Sequence, residues 1–205
     1  SVAAAGDVNA DGYGDVIVGA PFYTDSVANG GAGFVYCGGA SDITDEHCWS
    51  KGVTQEDAEF GFSVAGAGDV NGDGFADIII GAPLMEISSG HDNEGRVFIY
   101  PGSAAGVNGD YIFTKYGNLA DVNLGMSVAS AGDVNRDGYS DVIFGAPGWD
   151  DPYSNGGIAF VYHGGPGYPD GVYDWKDTGG STNAGFGRSV GTAGDVNGDG
   201  FSDII

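Results

Sequence analysis

The string Gly-Asp-Val-Asn-x-Asp-Gly occurs four times in this 205-residue chain, with its first Asp at positions 7, 69, 133 and 195. The intervals are 62, 64 and 62 residues. A tandem period of this length constrains the fold more than any other feature. Each unit is one supersecondary element that buries its apolar faces against its neighbours. The frame around the string repeats as well. Ser-Val stands upstream at Ser1-Val2, Ser63-Val64, Ser127-Val128 and Ser189-Val190. Phe60-Gly61, Leu124-Gly125 and Phe186-Gly187 lie just before it in three copies. Apolar runs ending in Gly-Ala-Pro follow at 16–21, 78–83 and 142–147, and further apolar runs at 33–36, 96–100 and 158–162.

Each period reads as four short strands rich in Val, Ile, Phe and Tyr, separated by Gly, Asn and Asp. In the second copy they are expected near 62–66, 77–81, 96–100 and 111–115. No useful 3.6-residue periodicity appears, so helices should be nearly absent. Four antiparallel strands per period, in tandem, predict an all-β propeller of four-stranded blades. The second strand is apolar almost throughout (Ile78-Ile79-Ile80; Val142-Ile143-Phe144), which predicts burial on both faces. The Gly-rich first strand suits the crowded axis of a propeller. The chain is read as one propeller segment over 1–205, with repeats at about 1–59, 60–123, 124–185 and an incomplete 186–205. Three and a half blades do not close a ring. Either the natural chain continues, or other copies complete the structure as a ring or filament.

The loop between the first two strands is D-x-N-x-D-G-x-x-D. Its copies are Asp7, Asn9, Asp11 and Asp15; Asp69, Asn71, Asp73 and Asp77; Asp133, Asn135, Asp137 and Asp141; Asp195, Asn197, Asp199 and Asp203. Side chains at positions 1, 3 and 5 can direct hard oxygens at one centre, and the glycine at position 6 permits the turn. A backbone carbonyl at position 7 (Tyr13, Phe75, Tyr139 or Phe201) can add a ligand, and the acid at position 9 closes the shell. An all-oxygen donor set in a flexible loop suits Ca²⁺ better than Zn²⁺ or Cu²⁺. An EF-hand shares the first half but closes with Glu at position 12. Turn formation alone would explain Asp, Asn and Gly, but not three carboxylates at matching positions in four copies, which repel one another without a cation. Up to four Ca²⁺ ions are expected.

The Phe-Gly…Gly-Ala-Pro frame around a D-x-N-x-D-G-x-x-D loop resembles the FG-GAP repeat, the blade unit of the integrin alpha-subunit propeller and of many secreted microbial proteins. The resemblance covers essentially the whole chain, with Leu124-Gly125 as a departure in the third copy. It implies a seven-bladed propeller with calcium in loops on one face, and work in adhesion or ligand binding. Relatives also occur in a secreted phospholipase D and as accessory modules of glycan-active enzymes.

Charge narrows the partners. Six Lys plus Arg oppose 29 Asp plus Glu, a formal net charge of −23. That excludes a phosphate-binding basic patch, hence nucleic acid, and no apolar run spans a bilayer. The 41 glycines follow no G-X-Y triplet, which excludes collagen. The G-x-S-x-G string at Gly187-Arg188-Ser189-Val190-Gly191 belongs to the repeat and lacks the strand-to-helix turn of a hydrolase elbow. No enzyme activity is therefore expected. Trp49, Phe113 and Trp175 share one register and read as strand-four packing. Trp149, Asp150, Asp151 and Tyr153, in the loop after the third Gly-Ala-Pro, are the candidates for contacting a protein or glycan ligand; local packing of that loop is the alternative. Cys37 and Cys48 can bridge across one hairpin, worth roughly 2–3 kcal/mol; two free thiols are the alternative. A bridge together with calcium loops points to an extracellular or cell-surface protein.

Overall fold

In a computed structural model of the protein, residues 1–86, 90–150, 152–167 and 169–205 are described. Every regular element among them is a strand. β1 (Val2–Gly6), β2 (Asp15–Ala20), β3 (Ala32–Tyr36) and β4 (Trp49–Gly52) form one antiparallel sheet in chain order. β5 (Ser63–Gly68), β6 (Asp77–Ala82), β7 (Arg96–Tyr100) and β8 (Phe113–Tyr116) form the second. β9 (Ser127–Gly132), β10 (Asp141–Ala146), β11 (Ile158–Tyr162) and β12 (Trp175–Thr178) form the third. β13 (Thr192–Gly194) pairs with β14 (Asp203–Ile204). This is a partial β-propeller of three blades and the start of another. No helix among the described residues is long and apolar enough to cross a membrane.

The sequence-based strands match with two small shifts. The first strand of the second blade ends at Gly68, beyond the expected 66. A register shift between Gly66 and Gly68 against β6 lets the strand continue past the irregularity, and Gly68 takes a positive φ there. The fourth strand begins at Phe113, two residues later than expected, because Tyr111 lies outside the ladder with its ring edge-on to Phe98.

The inner strands β1, β5, β9 and β13 are successive neighbours across blades. They lie close because their side chains are small: a Cβ on Gly66 would come within 2.8 Å of the Ala4 carbonyl oxygen. β6 and β10 are buried at every position, as their continuous apolarity requires. β2 alternates between buried and half-buried residues, since only one of its faces meets another blade. The same asymmetry explains the strand-four aromatics. Trp49 and Phe113 are 9% and 6% exposed, seated edge-on or tilted against Tyr100 and Tyr162 of the following blade. Trp175 is 41% exposed, because the fourth unit contributes only two strands beside it.

The repeated dipeptides act both within a blade, where the Phe/Leu-Gly amide extends the pairing of the first two strands, and between blades, through the hydroxyl of Ser-Val. The amide of Gly61 donates to the carbonyl of Gly81, and that of Gly125 to the carbonyl of Gly145, both at 3.0 Å. The hydroxyls of Ser63 and Ser127 donate to the carbonyls of Gly125 and Gly187 at 2.7 Å. The Ser-Val frame thus places a donor where it holds the next blade. Glycine is required at the centre of this contact: a Cβ on Gly81 would run into the Gly125 carbonyl, and one on Gly145 into the Gly187 carbonyl. Cys37, at the end of β3, and Cys48, just before β4, form a disulfide with Cα atoms 5.9 Å apart.

Two stability measurements check this account. Gly81→Ala should cost about 1–3 kcal/mol in denaturant unfolding through overpacking against backbone, whereas Gly167→Ala, with open space around it, should change stability by less than about 0.5 kcal/mol. Cys37→Ser with Cys48→Ser should cost roughly 2–3 kcal/mol, and the unreduced native protein should take up no alkylating reagent.

Candidate metal centre

The four D-x-N-x-D-G-x-x-D loops share one hydrogen-bond pattern. In the first, the Asp7 carboxylate accepts the amides of Asp11 and Gly12 at 3.1 and 2.9 Å. The Asn9 side-chain oxygen accepts the Asp11 amide at 3.0 Å, and Asp11 accepts the Tyr13 amide at 3.0 Å. These are the side-chain-to-backbone turns that Asp and Asn favour. The loops headed by Asp69, Asp133 and Asp195 repeat them. Gly12, Gly74, Gly138 and Gly200 all adopt φ near 90°, which a side chain would oppose.

The position-9 acids behave differently. Asp15 accepts the amides of Val8 and Gly38, both at 2.8 Å. Asp77 accepts those of Val70 and Gly102 at 2.9 and 3.0 Å, and Asp141 those of Val134 and Gly164 at 2.8 and 2.9 Å. All three are buried. Asp203 accepts the Val196 amide at 2.8 Å and is half-buried. Positions 1, 3 and 5 are thus gathered by the loop's own amides, while position 9 is turned inward onto strand and turn backbone. Among the described residues no three His, Cys, Asp or Glu side chains converge as a ready-made metal cage. The position-7 residues Tyr13, Phe75, Tyr139 and Phe201 lie in the loop, with their amides bonded to the position-5 acids.

The chemistry of the loops nevertheless fits a hard cation. All side-chain acceptors are oxygens, and a carboxylate oxygen that accepts one amide keeps a further lone pair. No Lys or Arg among the described residues lies within 4.0 Å of these acids. Burial pushes the Asp77 carboxyl up to about 7; the amides of Gly102 and Val70 oppose this, and the charges of Asp73 and Asp69 add to it. Asp141 is raised for the same leading reason.

Successive loops are tied in series. The amide of Ala76 donates to the carbonyl of Asp7, that of Ser140 to Asp69, and that of Ser202 to Asp133, all at 3.0 Å. Arg136 reaches from the third loop to lie 5.8 Å from the ring of Phe201 in the fourth.

With this geometry in view, the FG-GAP repeat model matches residues 1–36, 60–100 and 124–162, more than half of the chain. The chain belongs to the FG-GAP repeat family. Integrin alpha-6 of Homo sapiens is 36% identical over 146 residues, 68% of this chain. Integrin alpha-5 of Xenopus laevis is 33% identical over 171 residues, 79% of this chain. Integrin alpha-7 of Rattus norvegicus is 37% identical over 146 residues, again 68% of the chain. The matches span only 12–15% of those relatives' lengths. Among solved structures, the rhamnogalacturonan lyase PL11 of Bacillus licheniformis aligns with all of this chain and 40% of its own, at a TM-score of 0.54 and 15% identity. The rhamnogalacturonan lyase YesW aligns over the same shares at 0.50 and 12%. These two likenesses are of fold.

The ligand-contact candidates scatter. Trp149 is half-buried with its ring edge-on to Phe160 at 5.7 Å, so it combines the packing role with a partly open face. Asp150 is exposed and accepts the Asn155 amide at 2.6 Å, which ties it to its own loop. Tyr153 is exposed; Asp151 lies outside the described residues. Sequence reading missed the cations beside Trp149, Lys115 and Lys176, because each sits at a strand-four position that varies between repeats.

A pH measurement follows from Asp77. A carboxyl whose folded pKa lies above its unfolded value of ~3.9 holds its proton more tightly when folded. Its contribution is complete below pH 4 and is lost as pH rises through about 7. In chelator, the melting temperature should therefore carry a downward component between pH 4 and 7. Asp77→Asn should flatten that component, and an unchanged slope would contradict the assignment.

Proposed function

We propose that this chain is a calcium-stabilised, non-catalytic part of an extracellular propeller that binds a protein or glycan. The observation that carries the reading is the set of buried position-9 acids at the end of all-oxygen loops, without a Lys or Arg side chain to compensate them. Asp7, Asn9, Asp11 and Asp15 would hold one ion together with the Tyr13 carbonyl, and the equivalent residues of the other three loops would do the same. When bound, the ion supplies charge compensation and a cross-link between the two ends of the loop. Four divalent ions would bring the formal charge from −23 to −15, relieving self-repulsion. The units would be the repeats 1–59, 60–123, 124–185 and 186–205.

Several observations support the rest of the reading. The disulfide suits an exported protein. The three histidines are engaged elsewhere than at Ser189: His47 packs on Phe34 and Tyr36, His91 faces Glu94, and His163 faces Asp174. Family membership favours adhesion or ligand binding over catalysis.

Calcium at a hundred times its dissociation constant should stabilise the protein by about 2.7 kcal/mol per site. Chelation should lower the melting temperature accordingly, and Asp73→Ala should remove one ion's worth of heat from a calorimetric titration. The absence of both effects would defeat the reading.

A second reading concerns assembly. Val2, Trp175 and Ile205 are exposed at the two end blades, 70%, 41% and 81%. Stacked repeats need their end faces covered, so further blades or a second copy of the chain should cover them. Sedimentation of the 205-residue segment in calcium should show association; a monodisperse 20.7 kDa species that unfolds cooperatively would rule this out.

A further inference from the structure

The cation distribution points to a ligand site on the rim of the propeller. Of the six Lys and Arg, four lie on strands three or four of the blades: Lys51, Arg96, Lys115 and Lys176. In a chain with 29 acids, no Lys or Arg among the described residues makes a salt bridge. These positive groups have instead been kept for aromatic faces and carbonyls.

The two seams between complete blades allow an internal comparison. In the first seam, Phe98 and Tyr111 present their rings, and Arg96 lies across both at 4.5 and 5.3 Å. Its guanidinium donates to the Thr114 hydroxyl at 2.7 Å and the Tyr111 hydroxyl at 3.1 Å. The protein supplies its own cation there. In the second seam the equivalent rings are Phe160 and Tyr173, 5.5 Å apart. The residue equivalent to Arg96 is Ile158, which is buried in the core. Trp149 replaces Met85 and Lys176 replaces Thr114 at matching positions of the repeat. A cleft of about 170 Å³ opens there, lined by Lys115, Asn118, Trp149, Phe160, Tyr173 and Lys176 among others. Lys115 donates to the Gly171 carbonyl at 3.0 Å and is half-buried; Lys176 is exposed, 5.0 Å from the Tyr173 ring. Tyr173 is 39% exposed.

We propose that this inter-blade cleft binds a single uronic acid unit of a glycan. The rings of Trp149 and Tyr173 suit the apolar C–H face of a pyranose, and the two ammonium groups suit its carboxylate. The volume is below the 300–1,000 Å³ of drug-sized pockets, which fits one ring. A pyranose is rigid and loses little freedom on binding, whereas an acidic peptide must be ordered. The net charge of −23 repels a polyanion, but exposed charges more than ~8 Å from the cleft are largely screened. The proposal rests on the reading of the chain as a binding module and gives that module a ligand class.

The test is an NMR titration of the calcium-saturated chain with three probes: methyl glucuronide, methyl glucoside and N-acetyl-glutamate amide. Methyl glucuronide should bind in the millimolar range, perturbing the Trp149 indole and Tyr173, and the neutral glucoside about tenfold more weakly. Lys176→Gln, at an exposed position, should remove most of that preference without lowering the melting temperature, and Trp149→Ala should abolish binding of both sugars. Equal affinity for the two sugars, shifts confined to other residues, or tighter binding of the glutamate probe would each overturn the proposal. Chelation of a separate sample reports on the calcium reading: a retained calcium-dependent melting shift with no glucuronide binding rejects this site alone.

Discussion

One buried carboxylate per blade joins the parts of this fold that the chain keeps apart. Asp77 sits at the start of β6, yet it accepts the amide of Val70 from the loop before it and of Gly102 from the turn after β7. Asp15 and Asp141 do the same in their blades. Three segments meet at one side chain, which explains why the end of the acidic loop and the ends of β6 and β7 fall at a fixed place in every repeat. A buried charge with only amides for company is costly, and burial accordingly drives Asp77 toward its neutral form. Strand pairing and loop chemistry are therefore coupled through an atom pair.

The repeat made the blade legible. Continuous apolarity in 78–80 and 142–144 corresponds to strands buried on both faces, and small residues in the first strand correspond to close backbone approach at the axis. Local pattern could not locate what depends on a neighbouring blade. The two-residue misplacement of β8 came from Tyr111, whose aromatic character suggests a strand while its contact with Phe98 draws it out of the ladder. Trp175 carries the same packing signal as Trp49, but its exposure is decided by what stands beside it. The acidic loops were readable as loops and as donor sets. The inward turn of the position-9 acids was not, because their amide partners Gly38, Gly102 and Gly164 lie 23 or 25 residues away.

Charge is sorted in space as well as in amount. Twelve of the 29 acids stand in the four D-x-N-x-D-G-x-x-D loops, where a hard cation suits them. Most of the few cations stand on outer strands, set over rings or against carbonyls. Two blades built on the same repeat frame thus present different rims: one closed by Arg96, the other open between Lys115 and Lys176.

The carbonyl-to-amide ties between successive loops carry a temporal consequence. Asp7 receives its partner from Ala76, and Asp69 from Ser140, each about seventy residues later in the chain. On a ribosome adding about 5–20 residues per second, that interval is roughly 4–14 s. Each blade therefore emerges with a loop whose last backbone contact does not yet exist, and receives it only when the next blade has been made. The propeller is assembled like a row of clasps, in which every unit is fastened by its successor.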